Sequence, residues 1–160
     1  AMFTTAFFIL LRIGEVCTTS DDQAHTLQFR NLKSSGNPNK YVLVLTSYKF
    51  SKGSVPKVLL QCHPEVRICP VHCLGNYLAQ RGTHQGPLFC KQDQQAVHRV
   101  EFSMVLSRAI KALGLDPRNY KGHSFRIGGA TYAAQIGLSD AAIRQLGRWK
   151  SNAFKKYISY

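Results

Sequence analysis

The sequence predicts an α+β fold that is mainly helical and carries a small antiparallel three-stranded sheet. Two observations predict it. Apolar residues recur at helical spacing at both ends of the chain and through its second half. Between them lie three short β-branched or apolar runs separated by polar, turn-forming residues. The order is helix, small sheet, then mostly helices, which places the sheet as one compact insert rather than alternating it with helices.

Each element has a local reason. In residues 2–16, Phe3, Phe7, Leu10 and Leu11 fall on one face, which predicts a first helix. Residues 26–29 form the first strand, before the polar loop 33–39. Residues 41–45 and 55–60 form the other two, joined by the hairpin connection 46–54. Pro70 suits the first turn of a helix reaching about residue 79. Phe102, Val105, Leu106, Ile110 and Leu113 give a further helix, which Gly114 closes. A helix over 124–136 is closed by Gly137. Ser139 then caps one over 139–146. Residues 152–158 form the last.

Composition narrows the function. At 160 residues, one domain with a sizeable core is expected. Lys and Arg number 21 against 8 Asp and Glu, a formal charge of +13, which points to a polyanionic partner. Nucleic acid is the first candidate. An anionic membrane is the second, and it lacks support because no apolar run approaches the roughly 20 residues of a spanning helix. The apolar stretch at 2–11 has no basic residue before it and no clear cleavage site, so it is a poor signal peptide. Five cysteines without a secretory signal read as reduced thiols. The chain begins inside an apolar stretch and stops just past a basic segment, and reads as a piece of a longer protein.

The residues that could do chemistry are two arginines, a histidine and a tyrosine. A nucleophile approaching a phosphodiester meets an anion. Arginines relieve that repulsion by forked hydrogen bonds to the nonbridging oxygens. They also stabilise the charge that develops in the transition state. Arg12 and Arg126 fit this role, and Glu15 can orient Arg12. His123, three residues before Arg126, can move a proton near neutral pH. Gly128, Gly129 and Ala130 let that helix approach another backbone closely. Tyr157 follows Lys155 and Lys156, and nearby cations assist a phenol as nucleophile. Tyr160 is its rival. Lys49 and Lys52, in the hairpin connection, can protonate a leaving oxygen. Taken singly, each has an ordinary structural use: a surface salt bridge, a capping histidine, a core tyrosine, a solvated lysine. The cluster of Cys62, His63, Cys69, His72 and Cys73 lacks the paired spacing of a zinc site, so no metal is expected.

Three motifs carry a resemblance. They are Phe7-Phe8-Ile9-Leu10-Leu11-Arg12-Ile13-Gly14-Glu15, His123-Ser124-Phe125-Arg126-Ile127-Gly128-Gly129-Ala130-Thr131, and Leu146-Gly147-Arg148-Trp149-Lys150-Ser151-Asn152-Ala153-Phe154-Lys155-Lys156-Tyr157-Ile158. In this order they resemble the catalytic domain of tyrosine recombinases of the phage-integrase family. The similarity is closest to recombinases of eukaryotic DIRS-like, Ngaro-like and Crypton-type transposons. The resemblance implies that residues 1–160 are a C-terminal catalytic domain, with the N-terminal core-binding domain outside this chain. It implies Arg12, His123, Arg126, Arg148 and Tyr157 as catalytic residues, with Tyr157 the nucleophile. The family lysine falls on the hairpin. Lys49 is preferred there over Lys52, while counting back from Gly53 reaches Thr46. Arg148 stands where the family has His or Trp, with Trp149 beside it, and either can supply the donor. Lys52, Lys121, Arg144, Trp149, Lys150, Lys155 and Lys156 are the expected DNA contacts.

The implied activity is site-specific recombination of double-stranded DNA through a 3′-phosphotyrosyl intermediate, without metal or cofactor. It would serve the integration or excision of a mobile element. A homotetramer on synapsed DNA is expected, with a nuclear setting for a eukaryotic element and a cytoplasmic one otherwise. Two alternatives stand beside it: an inactive DNA-binding module of the same fold, and a type IB topoisomerase-like relaxation activity.

Overall fold

A computed structural model describes residues 1–46 and 55–158. Lys49, Lys52 and Tyr160 lie outside the described residues. The order is α1 (Met2–Phe8), α2 (Ile13–Val16), β1 (Leu32–Ser34), β2 (Lys40–Val44), β3 (Lys57–Gln61), α3 (Pro70–Arg81), α4 (Arg99–Ala112), α5 (Gly122–Gln135) and α6 (Asp140–Leu146). Short 3₁₀ turns occupy Phe29–Asn31, Pro117–Asn119 and Asn152–Tyr157. No helix among the described residues is long and apolar enough to cross a membrane.

The sheet is antiparallel in the order β1-β2-β3, with Leu32 opposite Leu43 and Leu43 opposite Val58. On β3, Val58 and Leu60 point into the core while Lys57, Leu59 and Gln61 face out, the alternation a one-sided sheet requires. Pro70 does open α3, and Cys69 caps it, its sulfur accepting the His72 N–H at 3.5 Å. Gly114 and Gly137 follow α4 and α5 with φ of 72° and 85°, a conformation glycine adopts without strain. Ser139 caps α6 by accepting the Ala142 N–H at 3.2 Å.

Two expectations are corrected. Residues 2–16 are not one helix. α1 stops at Phe8, Leu10 turns to φ 51°, and a second short helix begins at Ile13. In a continuous helix the carbonyls of Ile9 and Leu10 would accept N–H groups four residues on. Here they accept buried arginine guanidiniums instead, Arg148 on Ile9 and both Arg126 and Arg148 on Leu10. Long-range charge-assisted bonds override local helix periodicity. Residues 26–29 are not the first strand, which starts at Leu32. The segment is extended, but its partners are outside the sheet: the Leu27 N–H donates to Glu15 O at 2.8 Å and the Leu88 N–H to Leu27 O at 2.7 Å.

The main core joins α1, the sheet, α3 and α4 through Ile9, Leu11, Leu43, Leu60, Leu74, Leu88 and Phe102. A second cluster of Leu10, Ala130, Ala133, Ile143, Phe154 and Ile158 holds the C-terminal turn against α5. Helix α5 crosses α1 at Gly129. A Cβ there would stand 2.2 Å from the Phe7 carbonyl oxygen, so the contact needs a residue with no side chain. That crossing sets where α5 presents His123 and Arg126.

Candidate functional site

A cleft of about 1010 Å³ opens between the start of α2, one face of α4, the start of α5 and the C-terminal turn. Arg12, His123, Arg126, Trp149, Lys121 and Tyr157 all line it. These residues are separated by up to 145 positions in sequence, and the two core clusters bring them to one place.

Arg12 is the N-cap residue of α2. Its backbone N–H donates to the Glu15 carboxylate, and its half-exposed guanidinium lies 3.8 Å from the same group. The break after α1 thus points Arg12 outward rather than along a helix face. Arg126 is buried on the cleft floor, 3% exposed. It donates to the Leu10 and Gly147 carbonyls and stacks 4.0 Å above the Trp149 ring. Burial first, then the charges of Arg12 and Arg148, push its guanidinium down to about 10. It therefore remains cationic at neutral pH, among other cations, where an anion would relieve the repulsion.

His123 stands edge-on to Tyr157, ring centroids 5.2 Å apart and planes at 77°. The Tyr157 backbone is fixed from below, where the Thr131 hydroxyl donates to its carbonyl at 3.0 Å. Its ring also lies 6.1 Å from Trp149. A phenol, an imidazole and two guanidiniums thus face one space.

Arg148 is placed differently. It does not line the cleft. Its side chain is 4% exposed and paired with Glu15 at 2.8 Å. The expected phosphate donor is drawn inward because a partly buried carboxylate and three backbone carbonyls need a cation there. Arg144, Lys150, Lys155 and Lys156 are exposed but outside the cleft lining, and Lys155 pairs with Asp140 at 2.7 Å.

Sequence reasoning missed the opposite wall. Arg99, Ser103, Ser107 and Lys111 line the cleft from α4, and Arg118 and Tyr120 from the turn beyond it. The signal was available: four polar residues spaced by four make one stripe on a helix whose other face is apolar. Of the cysteine cluster, Cys69 packs in the core and caps α3, while Cys62 is exposed. Among the described residues no three His, Cys, Asp or Glu side chains are grouped to hold a metal.

No protein-family model matches the sequence. The integrase/recombinase XerD homolog of Selenomonas ruminantium is 29% identical over 105 residues, which is 62% of this chain and 31% of that protein. Among solved structures, the Tn1549 transposon integrase in complex with a circular intermediate DNA matches with a TM-score of 0.63 at 16% identity. The match covers 99% of this chain and 53% of that one. The XerH site-specific recombinase bound to palindromic difH substrate matches with a TM-score of 0.66 at 16% identity, over 98% and 40%. The same recombinase before cleavage gives 0.67 at 17%, over 99% and 42%. The chain thus spans about a third of its sequence relative and about half or less of these structural neighbours. A helical domain with a three-stranded antiparallel sheet, superposing over nearly its whole length on such proteins, has the fold of tyrosine-recombinase catalytic domains.

Proposed function

We propose that the chain is the catalytic domain of a tyrosine recombinase that cuts and rejoins double-stranded DNA. The observation that carries this is the convergence of Arg12, His123, Arg126 and Tyr157 on one basic cleft in this fold. The Tyr157 hydroxyl oxygen bonds to phosphorus, and the 5′-oxygen of the next nucleotide leaves. The product is a 3′-phosphotyrosyl link and a free 5′-hydroxyl. Arg12 and Arg126 neutralise the nonbridging oxygens. His123 takes the phenolic proton, being beside Tyr157. A lysine of the hairpin, Lys49 or Lys52, protonates the leaving oxygen. The phosphodiester energy stays in the covalent link, so a partner strand's 5′-hydroxyl can reverse the step. Arg99, Lys111, Arg118 and Lys121 line the path for the flanking backbone.

A tetramer on synapsed DNA, a role in moving a mobile element, a eukaryotic transposon source and a nuclear setting extend this reading. The likeness to a transposon integrase supports the mobile-element role, while the tetramer, the eukaryotic source and the nuclear setting rest on the resemblance of the three motifs alone. The test is a covalent-adduct assay with a nicked suicide duplex. A protein–DNA adduct that disappears in Tyr157→Phe is expected, and an adduct of equal yield in that variant would overturn the assignment. One observation favours a second reading, a DNA-binding module without cleavage: the inward turn of Arg148. Gel-shifted DNA with no adduct would select it.

A further inference from the structure

Position 148 sets a long cation beside a phosphate cleft, and its simplest use would be a third phosphate ligand. The geometry opposes that use. The Arg148 Nη2 donates to the two Glu15 carboxylate oxygens at 2.8 and 3.1 Å and to Leu10 O at 3.4 Å. Its Nη1 donates to Ile9 O at 3.3 Å and Leu146 O at 3.1 Å. Reaching a phosphate in the cleft would break a partly buried ion pair and strip the Ile9 and Leu146 carbonyls of this donor, an outcome that costs more than losing an exposed pair. The backbone at Arg148 is left-handed, φ 56°, which is uncommon for a residue with a Cβ. That strained turn buries residue 148 and leaves residue 149 on the cleft.

Trp149 occupies the cleft side with a fitted seat. Its ring carries the Arg126 guanidinium at 4.0 Å, packs on Phe154 at 5.7 Å and reaches Tyr157 at 6.1 Å. It lies so close over Gly147 that a Cβ there would fall 1.7 Å from the ring. Glu15, held by Arg148, is also the carboxylate that fixes the Arg12 backbone. Two chains of contact therefore leave this one turn: Arg148 through Glu15 to Arg12, and Trp149 to Arg126 and Tyr157.

We infer that Trp149 is the positioning residue that holds Arg126 and Tyr157 in the cleft, while Arg148 is a buried strut that orients Arg12 through Glu15. This rests on the proposed phosphoryl-transfer reading. A ring platform keeps a forked donor planar and aimed without consuming its N–H groups. The strut fixes the turn between α1 and α2, so a small slip there would displace Arg12 from the phosphate.

The experiment measures single-turnover adduct formation by the chain with a nicked suicide duplex, for each variant alone and combined with Arg12→Ala. A residue that acts through Arg12 costs little once Arg12 is gone, whereas an independent phosphate ligand costs as much as before. Arg148→Met is expected to slow the parent reaction about 100-fold, the cost of roughly 1 Å of misplacement, and to add almost nothing in the Arg12→Ala background. A full additive loss there would make Arg148 a direct phosphate ligand and overturn the inference. Trp149→Ala should slow the reaction to a similar extent, with Trp149→Phe restoring most of the rate. A Trp149→Ala rate within about threefold of the parent, against the roughly 100-fold expected of lost positioning, would also overturn it. If Arg148→Met does not fold, Glu15→Gln breaks the same ion pair, and the same loss, non-additive with Arg12→Ala, is expected of it. A second readout needs no cleavage. Trp149 is the sole tryptophan, so in the Tyr157→Phe background its emission should change when duplex DNA fills the cleft. Unchanged emission on bound DNA overturns the placement of Trp149. A changed emission with no adduct from the parent protein overturns the cleavage reading and leaves the placement standing.

Discussion

Replacing Gly129 by alanine sets two effects of opposite sign against each other. Gly129 lies inside α5, where alanine is favoured over glycine by about 1 kcal/mol on helix propensity alone. The added Cβ would stand 2.2 Å from the Phe7 carbonyl oxygen and 2.4 Å from Leu10 Cδ2, both inside the 3.0 Å that real Cβ contacts respect. The first of these is backbone and cannot rotate away. Helices α1 and α5 must therefore part by about 1 Å, a gap that forfeits a quarter to a half of each contact's attraction along the seam. Overpacking of this kind costs about 1–3 kcal/mol, and the backbone clash puts it at the upper end. The net expectation is a loss of about 2 kcal/mol, or roughly 4–8 °C in Tm for a chain of this size. Gly75→Ala is the control. Among the described residues its Cβ meets only the Tyr41 hydroxyl, at 3.7 Å, so propensity should win and raise Tm by roughly 1–4 °C. Calorimetry or thermal circular dichroism of both variants decides the matter. A Gly129→Ala Tm equal to or above the parent would refute the close crossing, and with it the placement of His123 and Arg126 relative to Arg12.

Two further expectations follow from the same geometry. Affinity for duplex DNA should fall steeply with salt. Four to five phosphate contacts from the cleft cations give a slope near −4 in log K against log salt, and Lys121→Ala should reduce it by about 0.9; a slope near zero would argue against a nucleic-acid cleft. Burial, more than the nearby Glu101, pushes the Cys17 thiol from its ordinary 9.0 up to about 12. At pH 8 its thiolate fraction is then about 10⁻⁴, so mass-spectrometric alkylation should label Cys17 last in the native protein and fully in denaturant. The sign for stability follows from the same shift. Above pH 9 the unfolded chain ionises this thiol while the folded one does not until about 12, so stability contributed by Cys17 falls across that window.

Much of the fold was legible because local chemistry decides it. Pro70, Gly114, Gly137 and Ser139 mark helix ends through fixed φ, freedom at positive φ, and a capping hydroxyl, none of which needs a distant partner. The sheet was legible where strands alternate between core and solvent, as at Val58 and Leu60. It was misread at residues 26–29, whose extended backbone bonds to the loop at 86–88, a partner that local propensity cannot specify.

The candidate site divides along the same line. Sequence by itself determined the cast: a basic chain with Arg12, His123, Arg126 and Tyr157 in ordered motifs, residues whose chemistry suits a phosphodiester whatever their exact placement. Only the tertiary structure decided which neighbour of the pair Arg148-Trp149 faces the cleft, because that choice depends on a partly buried carboxylate contributed from 133 positions away. It also decided that α1 breaks before Arg12, since the carbonyls freed there are satisfied by guanidiniums from α5 and from the turn after α6. It brought the α4 stripe of Arg99 and Lys111 to the same wall. Local propensity is set by neighbours within a few residues. Burial of a charge is settled by whatever partner the fold delivers, and here that partner determines both the broken helix and the direction of the arginine it carries.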